Sequence, residues 1–300
     1  MSRNLIVVSG PTGIGKTETC YKLSKIYGGH IISADSRQIY KEISIGTAKP
    51  SKQEIIDNHI KVVDHVSIFE DYSVGQFERE ALAEIEKDFE SNGSSILSGG
   101  TGLYVQAVCH GLNKFPDIKK ETVLAYNTKL IAEGLVTLQE ELKSRDIEYY
   151  EKVDLFNSRR IIRALCVIEE SNQTYTSFVK QELPPRDFNT IHICLAIERS
   201  KLYERINNRV LKMIKAGLIE EAKSVHEHKS LKSLQTVGYQ EFFDYFDGKT
   251  TKDEAIAKVQ MNSRRYAKRQ TTWLNKYVKG SKFAPTQLSN IKKFIEGNLK

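Results

Sequence analysis

The stretch Gly10-Pro11-Thr12-Gly13-Ile14-Gly15-Lys16-Thr17 completes the pattern GxxxxGK(S/T), and its flanks decide how it is read. Before it, Leu5-Ile6-Val7-Val8 has the unbroken apolar character of a buried strand. After it, Cys20, Leu23 and Tyr27 recur at helical spacing across residues 18–27. A glycine-rich turn between strand and helix lets successive backbone N–H groups converge on one anion, and the helix N-terminus adds about half a positive charge. Lys16 supplies a point charge for an outer phosphate, and the Thr17 hydroxyl is placed to hold Mg²⁺. All eight residues, Gly10 to Thr17, are therefore candidate ligands of a polyphosphate or a pyrophosphate.

Working outward, His30-Ile31-Ile32-Ser33-Ala34-Asp35 reads as a second strand ending in a carboxylate. Residues 72–89 read as a helix with Phe77, Ala81, Leu82, Ile85 and Phe89 on one face. Residues 94–97 form a short strand that runs into Gly99-Gly100-Thr101-Gly102, after which another helix starts; residues 191–197 and 202–214 repeat the strand–helix order. This alternation predicts an α/β fold, a P-loop NTPase-like parallel sheet with flanking helices and ligands at the carboxyl ends of its strands. Asp35 and Thr101 both fall at such ends, so two unrelated runs converge on the phosphate loop. Between residues 113 and 186 strand-like runs give way to helices, and Pro184-Pro185 closes the segment. The expected organisation is a core in two parts, residues 1–112 and 187–300, with a helical insertion domain at 113–186.

The chain has 300 residues, room for one α/β domain and an insertion, and 40% hydrophobic with 28% charged residues suits a globular protein. No apolar run reaches the length of a membrane span, and Gly10-Pro11 comes too early for a signal peptide. Cys20, Cys109, Cys166 and Cys194 are widely spaced, which predicts reduced, mostly buried thiols in a cytoplasmic protein, not a metal cluster or a disulfide framework. The net charge of +7 is concentrated at one end: residues 258–300 hold eleven lysines and arginines against Glu296 alone. Thr251-Lys252-Asp253-Glu254 fits a capping box that opens a helix to about residue 277. Val259, Tyr266, Trp273 and Tyr277 form its expected buried stripe, with Lys258, Arg265, Lys268, Arg269 and Lys276 on the opposite side. Such a face suits a polyanion.

Phosphoryl transfer needs a second acid at the end of an apolar strand to hold Mg²⁺. The strand before Gly99 ends Leu97-Ser98-Gly99-Gly100, without one, and Val62-Val63-Asp64 is the nearest substitute. A cradle without that acid points to pyrophosphate release. A P-loop small-molecule kinase, and a nucleotide-gated RNA-binding protein without catalysis, stay open as alternatives; the kinase leaves the basic tail unexplained.

Nine runs, in register along nearly the whole chain, resemble the tRNA dimethylallyltransferases (tRNA isopentenyltransferases): GPTGIGKT from Gly10, IISADSRQIY from Ile31, IGTAKP from Ile45, YSVGQF from Tyr72, GGTGLY from Gly99, RRIIRAL from Arg159, RVLKMIKAGLIEE from Arg209, VGYQE from Val237 and RRYAKRQTTW from Arg264. The resemblance implies transfer of a dimethylallyl group from dimethylallyl diphosphate to N6 of the adenosine 3′-adjacent to the anticodon, with release of pyrophosphate. It implies Mg²⁺ as cofactor and a tRNA anticodon stem-loop as partner, with ATP binding suggested by the loop motif only. Asp35 would accept the N6 proton, Thr101 would orient N6 or the leaving group, and Arg209, with Arg205 one turn earlier, would cover the diphosphate. Asp35, Ser36, Arg37, Gln38 and Thr101 would read the base. Arg159, Arg160, Ile161, Ile162 and Arg163 in the insertion, and Arg265, Lys268 and Arg269 in the basic helix, would hold the RNA. The protein is expected to act as a cytoplasmic monomer away from membranes. Arg37, Ser158 and Cys166 depart from the residues usual in the family.

Overall fold

In the computed structural model, which describes residues 3–91, 93–278 and 280–300, the apolar run before the glycine-rich loop forms strand β1 (Asn4–Ser9), buried along its whole length. Helix α1 (Lys16–Tyr27), β2 (Ile31–Ala34), α2 (Lys52–Asp57), the short β3 (Ile60–Lys61), α3 (Val74–Ser91), β4 (Ser94–Gly99) and α4 (Gly102–His110) follow. Next come α5 (Lys120–Arg145, broken at Gly134 with φ 83°), α6 (Ile147–Tyr150), α7 (Ser158–Ser171) and α8 (Tyr175–Val179). The chain continues through β5 (Asn189–Leu195), α9 (Arg199–Lys215), α10 (Leu218–Ser224), α11 (Gln240–Phe246), α12 (Lys252–Tyr277), β6 (Ser281–Phe283) and α13 (Leu288–Glu296). It divides into two compact units: the residues up to His110 with those from Arg186 onward, and residues 111–185. Among the described residues, no helix is long and apolar enough to cross a membrane.

In the larger unit six strands pair in parallel in the order β3-β2-β4-β1-β5-β6. Alternation along β1 sends side chains to both faces of the sheet, as a doubly covered parallel strand requires. Leu5 and Val7 pack with Phe77, Ala81 and Ile85 of α3 and Val105 and Val108 of α4. Ile6 and Val8 pack with Cys20 and Leu23 of α1, Ile206 of α9 and Ile291 of α13. The register places Gly99 between Ser9 and Ala34. Gly10, Asp35 and Gly100 therefore emerge side by side at one edge. Gly99 is needed there, because a Cβ would run into the carbonyl oxygen of Ala34.

The capping box of α12 is present: Thr251 N donates to Glu254 at 2.8 Å, and the Thr251 hydroxyl accepts from Glu254 N at 3.3 Å. Such a cap contributes about 1 kcal/mol. The buried face of the helix differs from the expected stripe. Ala255, Val259, Ala267, Gln270 and Leu274 are buried, whereas Tyr277 is half exposed. The alanines let the helix approach closely, which turns Tyr266 and Trp273 toward the loops at the carboxyl edge of the sheet. There the Trp273 indole lies against Gly102, where any Cβ would collide with it. Lys279 of the basic tail lies outside the described residues.

The smaller unit has its own core, in which Tyr126, Leu138 and Leu142 of α5 meet Ile161, Ile162, Ala164 and Leu165 of α7. This corrects the reading of Ile161 and Ile162 as RNA contacts. At 0% and 8% exposure their side chains are core residues. The polar–apolar alternation of RRIIRAL is the amphipathic pattern of a packed helix.

Candidate active site

The loop after β1 is anchored from behind. Ile14 is fully buried in the sheet core, and Gly13 and Gly15 take left-handed φ values of 77° and 109°. At Gly13 a side chain would also press on Ile206. Thr12, Gly13, Gly15, Lys16 and Thr17 line a cavity of about 460 Å³. Gly10, Pro11 and Ile14, expected among the anion ligands, are buried behind this lining and support the loop from the core side. Lys16 Nζ donates to Gly10 O at 2.8 Å and Pro11 O at 3.0 Å.

Helix α9 supplies the opposite wall with Arg205, Asn208, Arg209 and Lys212, which share one face over two turns. Arg209 Nη1 donates to the Thr12 hydroxyl at 3.4 Å. Asp35 is the acidic residue lining this space. Four cationic side chains facing one carboxylate make the cavity a receptor for a polyanion. Burial lowers the pKa of Lys16 to about 8, with Asp35 pulling it up and Arg209 pushing it down. Burial also lowers that of Arg209, and Asp35 opposes it.

A pH dependence follows. Lys16 is cationic at neutral pH and loses its proton as pH rises through about 8, whereas a bound diphosphate favours the charged form. Diphosphate affinity should therefore fall above that pH, by up to about tenfold per unit. Calorimetric titration of wild type and Lys16→Met across the range checks this, because the difference cancels the ligand's own ionisation. Parallel profiles for the two proteins would exclude Lys16 titration as the cause.

A second cavity, of about 330 Å³, shares Thr12, Asp35, Thr47 and Arg209 with the first. Its remaining wall is mixed: an apolar patch of Ile206, Val210, Met213, Leu218, Val237 and Val259 faces Ser36, Arg37, Gln235 and Gln240, with Tyr266 and Arg269 of α12 beside it. Asp35 stands where the two spaces meet. Its Oδ1 accepts from Arg37 N at 2.9 Å. Thr101 N donates to Ala34 O, and its Oγ1 accepts from Ser36 N at 3.2 Å. Burial, reinforced by Asp35, pushes the pKa of the Tyr266 hydroxyl up to about 12, so it keeps its proton at neutral pH. Gln38 is engaged within the protein: its Oε1 accepts from Ser33 Oγ at 3.3 Å and its Nε2 donates to Thr47 O and Ala48 O. The Arg37 guanidinium is likewise turned onto protein carbonyls.

Gln270 is a functional candidate to which the sequence alone assigns no role. It is 7% exposed. Its Oε1 accepts from Thr12 N at 2.8 Å and its Nε2 donates to Gly100 O at 3.0 Å, joining the phosphate loop to the loop after β4. The signal was a polar residue in phase with Ala255, Val259, Ala267 and Leu274. Asn208 and Lys212 were also missed, although they share the face of α9 that carries Arg205 and Arg209. Asp64, the nearest substitute for a second acid, pairs with Lys49 at 2.6 Å, and that ammonium also holds Tyr40 O.

Residues 38–277 match the family model described as IPP transferase. A tRNA dimethylallyltransferase of Christiangramia forsetii is 43% identical over 276 residues, covering 92% of this chain and 91% of the relative. The chain belongs to the tRNA dimethylallyltransferase family. The tRNA dimethylallyltransferase 1 of Bacteroides fragilis is 40% identical over 299 residues, 100% of this chain and 99% of that protein. The full-length tRNA isopentenylpyrophosphate transferase of Bacillus halodurans superposes with a TM-score of 0.74 at 34% identity, covering 99% of this chain and 97% of that one. These full-length relationships make the helical unit at 111–185 and the parallel sheet parts of a single tRNA dimethylallyltransferase chain.

For a tRNA dimethylallyltransferase, the exposed cations matter next. Arg265, Lys268 and Arg269 are exposed on α12, and the Arg269 guanidinium lies 5.8 Å from the centre of the Tyr266 ring. On α7 of the smaller unit Arg159, Arg160 and Arg163 are exposed, with Arg163 over Phe115 at 5.5 Å.

Proposed function

We propose that the protein transfers a dimethylallyl group from dimethylallyl diphosphate to N6 of the adenosine 3′-adjacent to the anticodon of tRNA, releasing pyrophosphate. The observation that carries this reading is the pair of adjoining cavities, one cationic and one with an apolar patch on a mixed wall, with Asp35 lining both. A prenyl diphosphate has one charged end and one apolar end, and the reaction occurs at the carbon that joins them. The loop, Lys16, Arg205 and Arg209 bind the diphosphate, and the apolar patch accepts the dimethylallyl group beside the incoming adenine.

In the reaction the allylic C–O bond breaks with its electron pair going to pyrophosphate, and the N6–C bond forms. Lys16 and Arg209 stabilise the charge that builds on the leaving group. N6 is a weak nucleophile because its lone pair is delocalised into the ring, and the Asp35 carboxylate accepts the proton it loses. Thr101, whose Oγ1 accepts from Ser36 N, orients the acceptor. The Thr17 hydroxyl, exposed at the start of α1 and lining the cationic cavity, suits Mg²⁺, which takes few protein ligands beside substrate phosphates and water. Bound there, Mg²⁺ would add positive charge to the diphosphate. Arg265, Lys268 and Arg269, with Arg159, Arg160 and Arg163, supply phosphate contacts for the stem-loop.

Incubation with dimethylallyl diphosphate, Mg²⁺ and unmodified tRNA, followed by digestion and mass analysis, should yield N6-dimethylallyladenosine. ATP-dependent phosphorylation of a small alcohol without that product would replace this reading with a kinase. For the RNA surface, Arg265→Ala and Arg269→Ala should each lower the slope of log affinity against log salt by close to one unit while leaving diphosphate binding alone. Arg159→Ala and Arg163→Ala should do the same. Unchanged slopes in all four would mean that the tRNA docks elsewhere.

A further inference from the structure

Arg37 carries a charge suited to a phosphate, but its guanidinium is turned onto the protein backbone. Nη1 donates to Lys232 O at 3.2 Å and to Ser233 O at 2.8 Å, and Nη2 donates to Gln235 O at 3.2 Å. Lys232 and Ser233 belong to a 3₁₀ turn (Lys232–Leu234), and Gln235 follows it. The end of such a turn leaves carbonyls without helical partners, here Ser233 O and Gln235 O, while Lys232 O also accepts from Gln235 N at 3.3 Å. A planar guanidinium with five donors can satisfy several of them at once, which an ammonium does not match in geometry. The residues just beyond, Gln235, Thr236, Val237 and Gly238, form part of the wall of the second cavity. Through its own backbone, Arg37 also holds the other side of that space, because its N–H donates to Asp35 Oδ1. One residue thus ties the carboxylate and the wall to a common point.

We infer that Arg37 is a positioning residue: it fixes the segment 235–238 relative to Asp35, and so sets the shape of the space in which the acceptor base meets that carboxylate, without contacting RNA phosphate. This rests on the prenyl-transfer reading of the two cavities. Charge is incidental to this role, and fork geometry is essential to it.

The test uses full-length Arg37→Met, which keeps the stem and removes every donor, and Arg37→Lys, which keeps the charge and removes the fork. Both should lower kcat by about 10- to 100-fold, the usual effect of a reacting group displaced by about an ångström. The Kd for tRNA and its salt slope should stay at wild-type values. Backbone amides of 233–238 should exchange with deuterium faster in both variants. A salt slope reduced by about one unit in Arg37→Met and restored in Arg37→Lys would make Arg37 a phosphate contact and overturn the inference. Wild-type exchange rates across 233–238 would overturn it equally. If the wild-type protein makes no prenylated adenosine, the functional reading falls, while the exchange rates still decide whether Arg37 holds the wall.

Discussion

Asp35→Asn is expected to lower kcat by about 10²- to 10⁴-fold, the contribution of a positioned general base, with diphosphate affinity at neutral pH nearly unchanged. Asparagine keeps the shape, and its carbonyl oxygen can still accept from Arg37 N as Oδ1 does now. What disappears is the capacity to take the proton from N6. Loss of the negative charge has a second, independent consequence. Asp35 supports the protonated forms of both Lys16 and Arg209, so in the variant Lys16 should deprotonate below its present value of about 8. The alkaline fall in diphosphate affinity should shift to lower pH with it. Single-turnover rates with saturating tRNA measure the first effect, and calorimetry across pH the second. Near-normal turnover would remove Asp35 from proton transfer and leave it an electrostatic role, visible only in the pH shift.

Arg209→Ala is expected to cost about 10²–10³ in kcat, the typical loss of one donor aimed at developing negative charge. Arg209 is the better placed of the two arginines, since it lines both cavities and donates to the Thr12 hydroxyl, whereas Arg205 lines only the cationic one. Arg205→Ala should therefore act mainly on the KM for dimethylallyl diphosphate. Charge on the leaving group is greatest in the transition state, so the two variants should separate into a kcat effect and a KM effect. A rise in KM alone for Arg209→Ala would make it a ground-state ligand and shift the stabilising role to Lys16.

The parts of the fold legible in the sequence were those set by local periodicity and backbone chemistry. The GPTGIGKT turn declares itself because glycines at 13 and 15 supply the left-handed φ values. The unbroken apolar run of β1, the 3.6-residue pattern of α3 and the Thr251–Glu254 cap each announce an element within a few residues of chain. The carboxylate at 35 and the threonine at 101 were placed by the general habit of parallel sheets, which gather ligands at strand ends.

Long-range contacts decided the rest. Which face of α12 is buried depended on the close approach of Ala255 and Ala267, so the large aromatics that dominate its hydrophobic stripe were turned to the site or to solvent. Gln270 became a link between two loops only because α12 crosses the phosphate loop at Thr12, 258 residues away in sequence. Ile161 and Ile162 lie in the apolar phase of α7, but it is the packing of α5 over that face that makes them core residues. Arg37 looked free until the carbonyls near 232–235 came within reach. By itself, then, the sequence determined the four central strands of the sheet, the phosphate loop and the residues delivered to the carboxyl edge, since these follow from near neighbours, whereas the short edge strands β3 and β6 form only by pairing with strands distant in the chain. Only the tertiary structure decided which charged and polar side chains remain available to a ligand, because that depends on partners hundreds of residues away satisfying them first.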